Sequence, residues 1–225
     1  MRALVALISL LLAAEPIDDL RPRRASGWAG FGEGTWIRFR RSTKRNNKWE
    51  FSSDYKCTLR KITQSRLYLE NQTKSGGGAF NISRGLGQQK VEALSPETLV
   101  VDGQSLKCTV RRFTWRAKDR KSVATVWEAK NPLVMVKLES TSWVRGHSRR
   151  FTRTLTHLGV PMKVGARTLR CAVYATKGVE IDRQNEGVLY LRPDVPGGNV
   201  FSRGTFTSKK GREVHVRELL DFEAR

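Results

Sequence analysis

The chain has 225 residues, with 42 Lys and Arg against 21 Asp and Glu, a formal net charge of +21. That length holds one large all-β domain or two small ones, with a core sizeable enough to exclude dependence on disulfides for folding. The charge draws the chain to anionic partners such as phospholipid, cell-wall polymer, polysaccharide or nucleic acid, and says nothing about fold.

Arg2 followed by the apolar run Ala3 to Ala14 has the layout of a secretory signal. The run is well short of the roughly 20 residues that a spanning helix needs. We therefore assign 1–14 as a signal peptide cut before Glu15-Pro16; the loss of Arg2 alone lowers the net charge from +21 to +20. No later stretch is long and apolar enough to cross a bilayer as a helix. The expected location is periplasmic or extracellular, which makes nucleic acid the least natural partner. Residues 15–27, with Arg21-Pro22-Arg23-Arg24, read as a flexible basic lead-in.

From Trp28 onward the texture is β. Trp36-Ile37-Arg38-Phe39-Arg40 alternates apolar and basic residues, the mark of a half-buried strand. Lys44 to Asn47 reads as a turn, and Trp49 to Phe51 as the return. Leu67 to Leu69 is another strand, while the glycines at 76–78 and 85–87 read as loop breaks. Thr98 to Val101, Asp102-Gly103 and Gln104 to Val110 form the clearest hairpin, because Asp-Gly suits a type I′ turn. Strands follow at Val123 to Glu128, Leu133 to Leu138, Ser140 to Val144, Arg149 to Leu155, Leu169 to Tyr174, Val188 to Leu191, Val200 to Phe206 and Glu213 to Val216. Turns fall at Asn131-Pro132, Gly146, 196–199 and 209–211. Val216 to Phe222 suits a short helix or a closing strand. The fold class is all-β: an antiparallel meander forming a curved sheet, an incomplete barrel or a sandwich.

The three cysteines share one local frame. Lys56-Cys57-Thr58-Leu59-Arg60 resembles Lys107-Cys108-Thr109-Val110-Arg111, and Arg170-Cys171-Ala172-Val173 repeats its start. An offset of 63 pairs Val101 with Val164, Leu106 with Leu169, Cys108 with Cys171 and Trp127 with Tyr190, which indicates internal duplication. Related units are placed around 30–90, 95–158 and 159–225 within a β region at 28–225. By strand parity, Leu106, Cys108 and Val110 share a face, as do Leu169, Cys171 and Val173, and Tyr55, Cys57 and Leu59. The cysteines thus point into the core as small apolar side chains, with a Cys108–Cys171 disulfide as the alternative. Lys107 and Arg111 point to an outer basic face, and a bulge or strand end is expected near Phe113, where Trp115 departs from the parity of Cys108.

Arg38, Arg40, Lys56, Arg60, Lys107 and Arg111 are the candidate polyanion contacts. His147, His157 and His215 lack metal-ligand spacing, so neither a metal nor a cofactor is assigned. Glu180, Asp182 and Glu186 form a local acidic cluster that reads as solvated loop charge, and no catalytic residue is assigned. The tryptophans are dispersed, and core packing accounts for most of them.

The opening Trp28-Ala29-Gly30-Phe31-Gly32-Glu33-Gly34-Thr35-Trp36-Ile37 and the later hairpin Val101 to Cys108 resemble a group of small exported bacterial β-proteins. Those proteins carry Trp-x-x-Phe-x-x-Gly-Ser/Thr-Trp-Val/Ile after the signal. In architecture the chain is similar to the periplasmic lipoprotein-carrier fold, which implies an incomplete barrel around an apolar cavity whose mouth is covered by helices. The leading expectation is an exported, non-enzymatic envelope protein whose inner residues Leu106, Val110, Leu169 and Val173 pack the core or line a pocket for a lipid or other apolar ligand. One rival is an envelope protein that binds an anionic polymer through its basic face. The other is a secreted hydrolase.

Overall fold

The computed structural model describes residues 26–28, 30–45, 48–64, 66–83, 88–117, 120–130, 133–144, 147–209 and 211–225. The assigned signal peptide, most of the lead-in, the turns at Asn131-Pro132 and Gly146, and the break at 85–87 lie outside the described residues.

After a 3-10 turn at Ser26–Trp28, the chain is a succession of strands. The first four are β1 (Trp36–Arg45), β2 (Lys48–Ile62), β3 (Arg66–Thr73) and β4 (Gly76–Ser83). Then come β5 (Gln88–Val101), β6 (Gln104–Ala117), β7 (Arg120–Lys130), β8 (Leu133–Val144) and β9 (His147–Val164). The last are β10 (Arg167–Glu180), β11 (Arg183–Leu191), β12 (Asn199–Ser208) and β13 (Gly211–Glu223). They form one 13-stranded sheet in the order β4-β3-β2-β1-β13-β12-β11-β10-β9-β8-β7-β6-β5. Val216 to Phe222 is therefore the closing strand: β13 pairs antiparallel with β1, from Trp36↔Glu223 to Arg45↔Glu213.

The sheet is a curved, open meander, and its strand number rules out closure by an antiparallel pair. Neighbours in an antiparallel ring alternate in direction, so a ring closes only with an even number of strands. With 13, the edge strands β4 and β5 run the same way in the sheet and cannot pair antiparallel.

Two apolar cores stabilise the curvature. The first gathers Trp28, Ile37, Phe39, Cys57, Leu59, Leu67, Leu69, Leu169, Cys171, Leu219 and Phe222. The second gathers Val101, Leu106, Cys108, Val110, Phe113, Val126, Val136, Leu155, Tyr174 and Leu189. β10 and β11 serve both: Leu169, Cys171 and Tyr190 pack with the first core, and Ala172, Tyr174, Leu189 and Leu191 with the second. Because side chains alternate along a strand, the cores meet these strands from opposite faces.

All three cysteines are free and buried. The alternative Cys108–Cys171 disulfide is not formed, since Cys108 belongs to the second core and Cys171 to the first. The 63-residue offset extends to the register. Two-residue turns join Val101 to Gln104 and Val164 to Arg167, and Val110 faces Trp127 as Val173 faces Tyr190. The unit boundary at 158/159 falls inside β9.

Three local expectations are corrected. Gly76 to Gly78 is not a loop; it runs as edge strand β4, whose ladder to β3 needs only backbone groups. No bulge falls at Phe113: β6 pairs with β7 in unbroken register, and the irregularity lies opposite it in β5, between Leu94 and Glu97, where Pro96 sits. β9 continues past Leu155 through Gly159 and Pro161 to Val164. Its pairing with β8 ends at Thr154, so Pro161 sits on a locally free edge where its missing N–H forfeits no ladder bond to β8.

Candidate anion-binding site

Following the register across the sheet brings distant residues into one row. Arg111 of β6 faces Val126, which faces Leu138, which faces Arg153 of β9. The row continues through Thr176, Gly187, Gly204 and His215 to Thr43 of β1. On the adjoining rows of the same face lie Tyr174, Leu189 and Arg217 on one side, and Phe151, Asn185, Phe206, Glu213 and Arg45 on the other. Arg153, His215 and Arg217 are half-buried, whereas Arg150, Lys177 and Arg203 on the opposite face are exposed. The row therefore belongs to the inner side of the curved sheet.

Arginines on this face lie against aromatic rings. The Arg217 guanidinium is 3.8 Å from the Phe39 ring centre and 5.6 Å from that of Tyr55. Arg183 lies 4.2 Å over Phe206, and Arg153 is 5.7 Å from Phe151 and 6.0 Å from Tyr174. The edge of His215 meets Phe206 at 4.8 Å between centres. A ring's quadrupole holds a cation, and guanidinium, more weakly hydrated than ammonium, tolerates this half-buried setting. Arg111 is bonded to the buried Glu128. Arg45 donates to Glu213 at 2.6 Å, and the His215 Nε2 is 3.2 Å from the same carboxylate. Arg45 first, then His215, hold the Glu213 carboxyl below its usual range.

Glycines open the middle of the band. Gly187 and Gly204 face each other and leave its floor without side chains between Thr176 and His215. A Cβ on Gly187 would stand 2.3 Å from the Arg203 carbonyl oxygen and 2.9 Å from the Gly204 Cα. A planar, forked donor set beside such a floor suits the oxygens of a carboxylate, phosphate or sulfate.

The sequence-derived polyanion contacts do not form one patch. Arg38, Arg40 and Lys56 lie on the outer face, where β1, β2 and β13 also place Asp54, Glu218, Asp221 and Glu223. Arg40 is bonded to Asp54 at 2.9 Å, Arg60 to Glu70 at 2.5 Å, and the Lys56 ammonium lies 4.3 Å from the Trp36 ring. Lys107 is exposed on β6, remote in the sheet order from β1 and β2. Arg111 shares its row with Arg153 on the inner face, not the outer face read from its alternation with Val110. A shallow depression of about 380 Å3 beside β3 and β4 is lined by Arg60, Tyr68, Leu69, Glu70 and Gly77 to Ala79.

Leu106, Val110, Leu169 and Val173 are all buried, and Leu106, Val110 and Leu169 pack within the cores. The acidic cluster does not converge: Glu180 bonds Arg149, Asp182 lies at the β10–β11 turn near Lys209, and Glu186 pairs with Lys177 on the outer face. Among the described residues no group of His, Cys, Asp and Glu is placed to hold a metal ion. The tryptophans do not all pack in the cores. Trp28 and Trp127 are buried, but Trp49 and Trp143 are exposed, and lysines cap both of their rings.

The inner band escaped the sequence reading because its arginines are scattered from position 45 to 217. One signal was present: Arg153 shares parity with Phe151 and Leu155, and Arg217 with Leu219, so both are cations at core-facing positions.

No protein-family profile matches the sequence, and no curated protein matches it. Three solved structures align with the chain. A candidate exported protein with a YmcC-like fold from Bacteroides fragilis aligns at 10% identity and a TM-score of 0.36, over 86% of this chain and 97% of that one. A candidate lipoprotein from Parabacteroides distasonis aligns at 10% identity and a TM-score of 0.38, over 85% and 96%. MucB, in complex with MucA(peri), aligns at 8% identity and a TM-score of 0.19, over 90% and 98%. Likeness at this level carries no argument about activity, which rests on the chain's own residues.

Proposed function

We propose that the chain is an exported, non-catalytic binding protein of the cell envelope that holds an anionic ligand on its arginine-lined inner face. The observation that carries this reading is the row from Arg111 through Arg153 to His215, with Arg183 and Arg217 stacked on Phe206 and Phe39 beside it. Arg153 and Arg217 are half-buried beside rings and Arg183 is exposed over one, and guanidinium is suited to oxyanion recognition. Export rests on the signal layout of residues 1–14. The net charge adds long-range attraction for an anionic envelope polymer. The apolar-ligand reading has weaker support, because Leu106, Val110 and Leu169 are taken up by core packing.

The test compares equal charge losses on the two faces. Arg153→Gln with Arg183→Gln is expected to weaken heparin or polyphosphate binding by about tenfold at physiological salt. Lys177→Gln with Arg203→Gln, on the outer face of neighbouring strands, is expected to change it by less than about twofold. Equal losses from the two pairs would reduce the binding to net charge and end the assignment to the inner face.

A further inference from the structure

Most of the exposed large apolar side chains among the described residues stand toward one end of the sheet; Val100, beside the β5–β6 hairpin, and Tyr68 stand elsewhere. Trp49, Trp143, Val144, Val179 and Ile181 are all exposed, and each stands at or beside a hairpin end. The register relates them to one row: Trp49 lies one position inside it, and Trp143 and Ile181 lie three positions beyond it. Ser140, Phe151, Gly178, Asn185, Phe206, Glu213 and Arg45 form one continuous row across the sheet. The strands β1, β13, β12, β11, β10, β9 and β8 run side by side through it.

Folding gives no reason for these residues to be there. Ile181 occupies a two-residue turn between Glu180 and Arg183 and is 65% exposed, although turns of that length favour Asn, Asp and Gly. Trp49 is 60% exposed beside the β1–β2 turn. Cations accompany the apolar tips. Lys121 lies 5.2 Å over Trp143, Lys44 lies 6.0 Å from Trp49, and Lys209 at the β12–β13 turn is almost fully exposed. Indole at a water–hydrocarbon boundary, with ammonium groups beside it at headgroup level, is the chemistry of a membrane-interface contact.

We propose that this end of the sheet docks on the surface of an anionic phospholipid bilayer, with Trp49, Trp143 and Ile181 entering the interface and the adjacent lysines meeting lipid phosphates. The bilayer is favoured as occupant by the chain's positive charge and by the lysines that lie beside the exposed indoles. The contact uses Trp49, Trp143 and Ile181 rather than the row from Arg111 to His215, and stands whatever that row binds.

The test is sedimentation of the purified protein with vesicles of phosphatidylglycerol and phosphatidylethanolamine, compared with vesicles of phosphatidylcholine. Wild type is expected to bind the anionic vesicles with tryptophan emission quenched by brominated acyl chains. Trp49→Ser with Trp143→Ser and Ile181→Ser is expected to reduce vesicle binding by about tenfold or more while leaving heparin binding unchanged. Failure of wild type to bind anionic vesicles, binding without bromine quenching, or equal binding by the triple variant would overturn the proposal.

Discussion

At the scale of single residues, burial governs the chemistry of the cysteines. Removal from water pushes the Cys57 thiol up to about 12 and the Cys171 thiol to about 11, with Arg217 and Arg192 opposing only weakly. Burial, reinforced by Glu97, raises Cys108 as well. Thiolate is the reacting species, so iodoacetamide at mildly alkaline pH is expected to leave the native protein unlabelled and to modify all three cysteines only in denaturant. Rapid native labelling detected by mass would contradict the core placement. The carboxylates make the complementary case. Asp54 is held low chiefly by the hydrogen bond from Arg40, Glu70 by Arg60, Glu213 by Arg45 and Glu223 by Trp36. A folded pKa below the unfolded one stabilises fully above the unfolded value of about 4, and that contribution is lost as pH falls through the folded value. The melting temperature is therefore expected to stay level from neutral to mildly acid pH and to fall only below about pH 4, modestly, because these pairs are solvated. A decline beginning near neutrality would contradict this assignment. The cysteine positions were legible from alternation alone. The partners of Arg38, Arg40 and Lys56 were not, because cross-strand neighbours depend on register, which is set by turns and packing.

Individual strands show where local reading succeeds and where tertiary context overrides it. Asp102-Gly103 forms the expected hairpin turn with φ values of 50° and 75°, as its two positive φ angles require. Gly76 to Gly78 reads as a break and the strand reading at 149–155 stops short of Gly159 to Pro161, yet both segments lie in strands, because an edge needs fewer side chains and fewer amide donors than a central position. Gly187 is the reverse: a glycine in a central strand that the fold requires. The atoms a new Cβ would meet are backbone, of Arg203 and Gly204, and cannot swing aside. Gly187→Ala is therefore expected to cost about 1–3 kcal/mol in urea denaturation. A variant as stable as wild type would show that β11 and β12 separate more easily than their register implies.

For the molecule as a whole, the last strand decides whether one sheet exists. β13 joins β1 to β12 and supplies Leu219 and Phe222 to the first core. A chain ending at Lys210 is expected to lose cooperative thermal unfolding and to aggregate through the newly freed edges of β1 and β12; a soluble, cooperative product would mean that the two cores are independent. The sequence by itself determined the all-β class, the core parity of the cysteines, the repeated strand and the basic charge. Each of these is written in alternation, turn chemistry or composition, within a few residues of chain. Only the tertiary structure decided which cations share a face, because residues as distant as Arg45 and Arg153 become neighbours through a register that accumulates across many strands. It likewise brought Trp49, Trp143 and Ile181 to one end of the sheet, since the level of a hairpin tip is set by every pairing between it and the next.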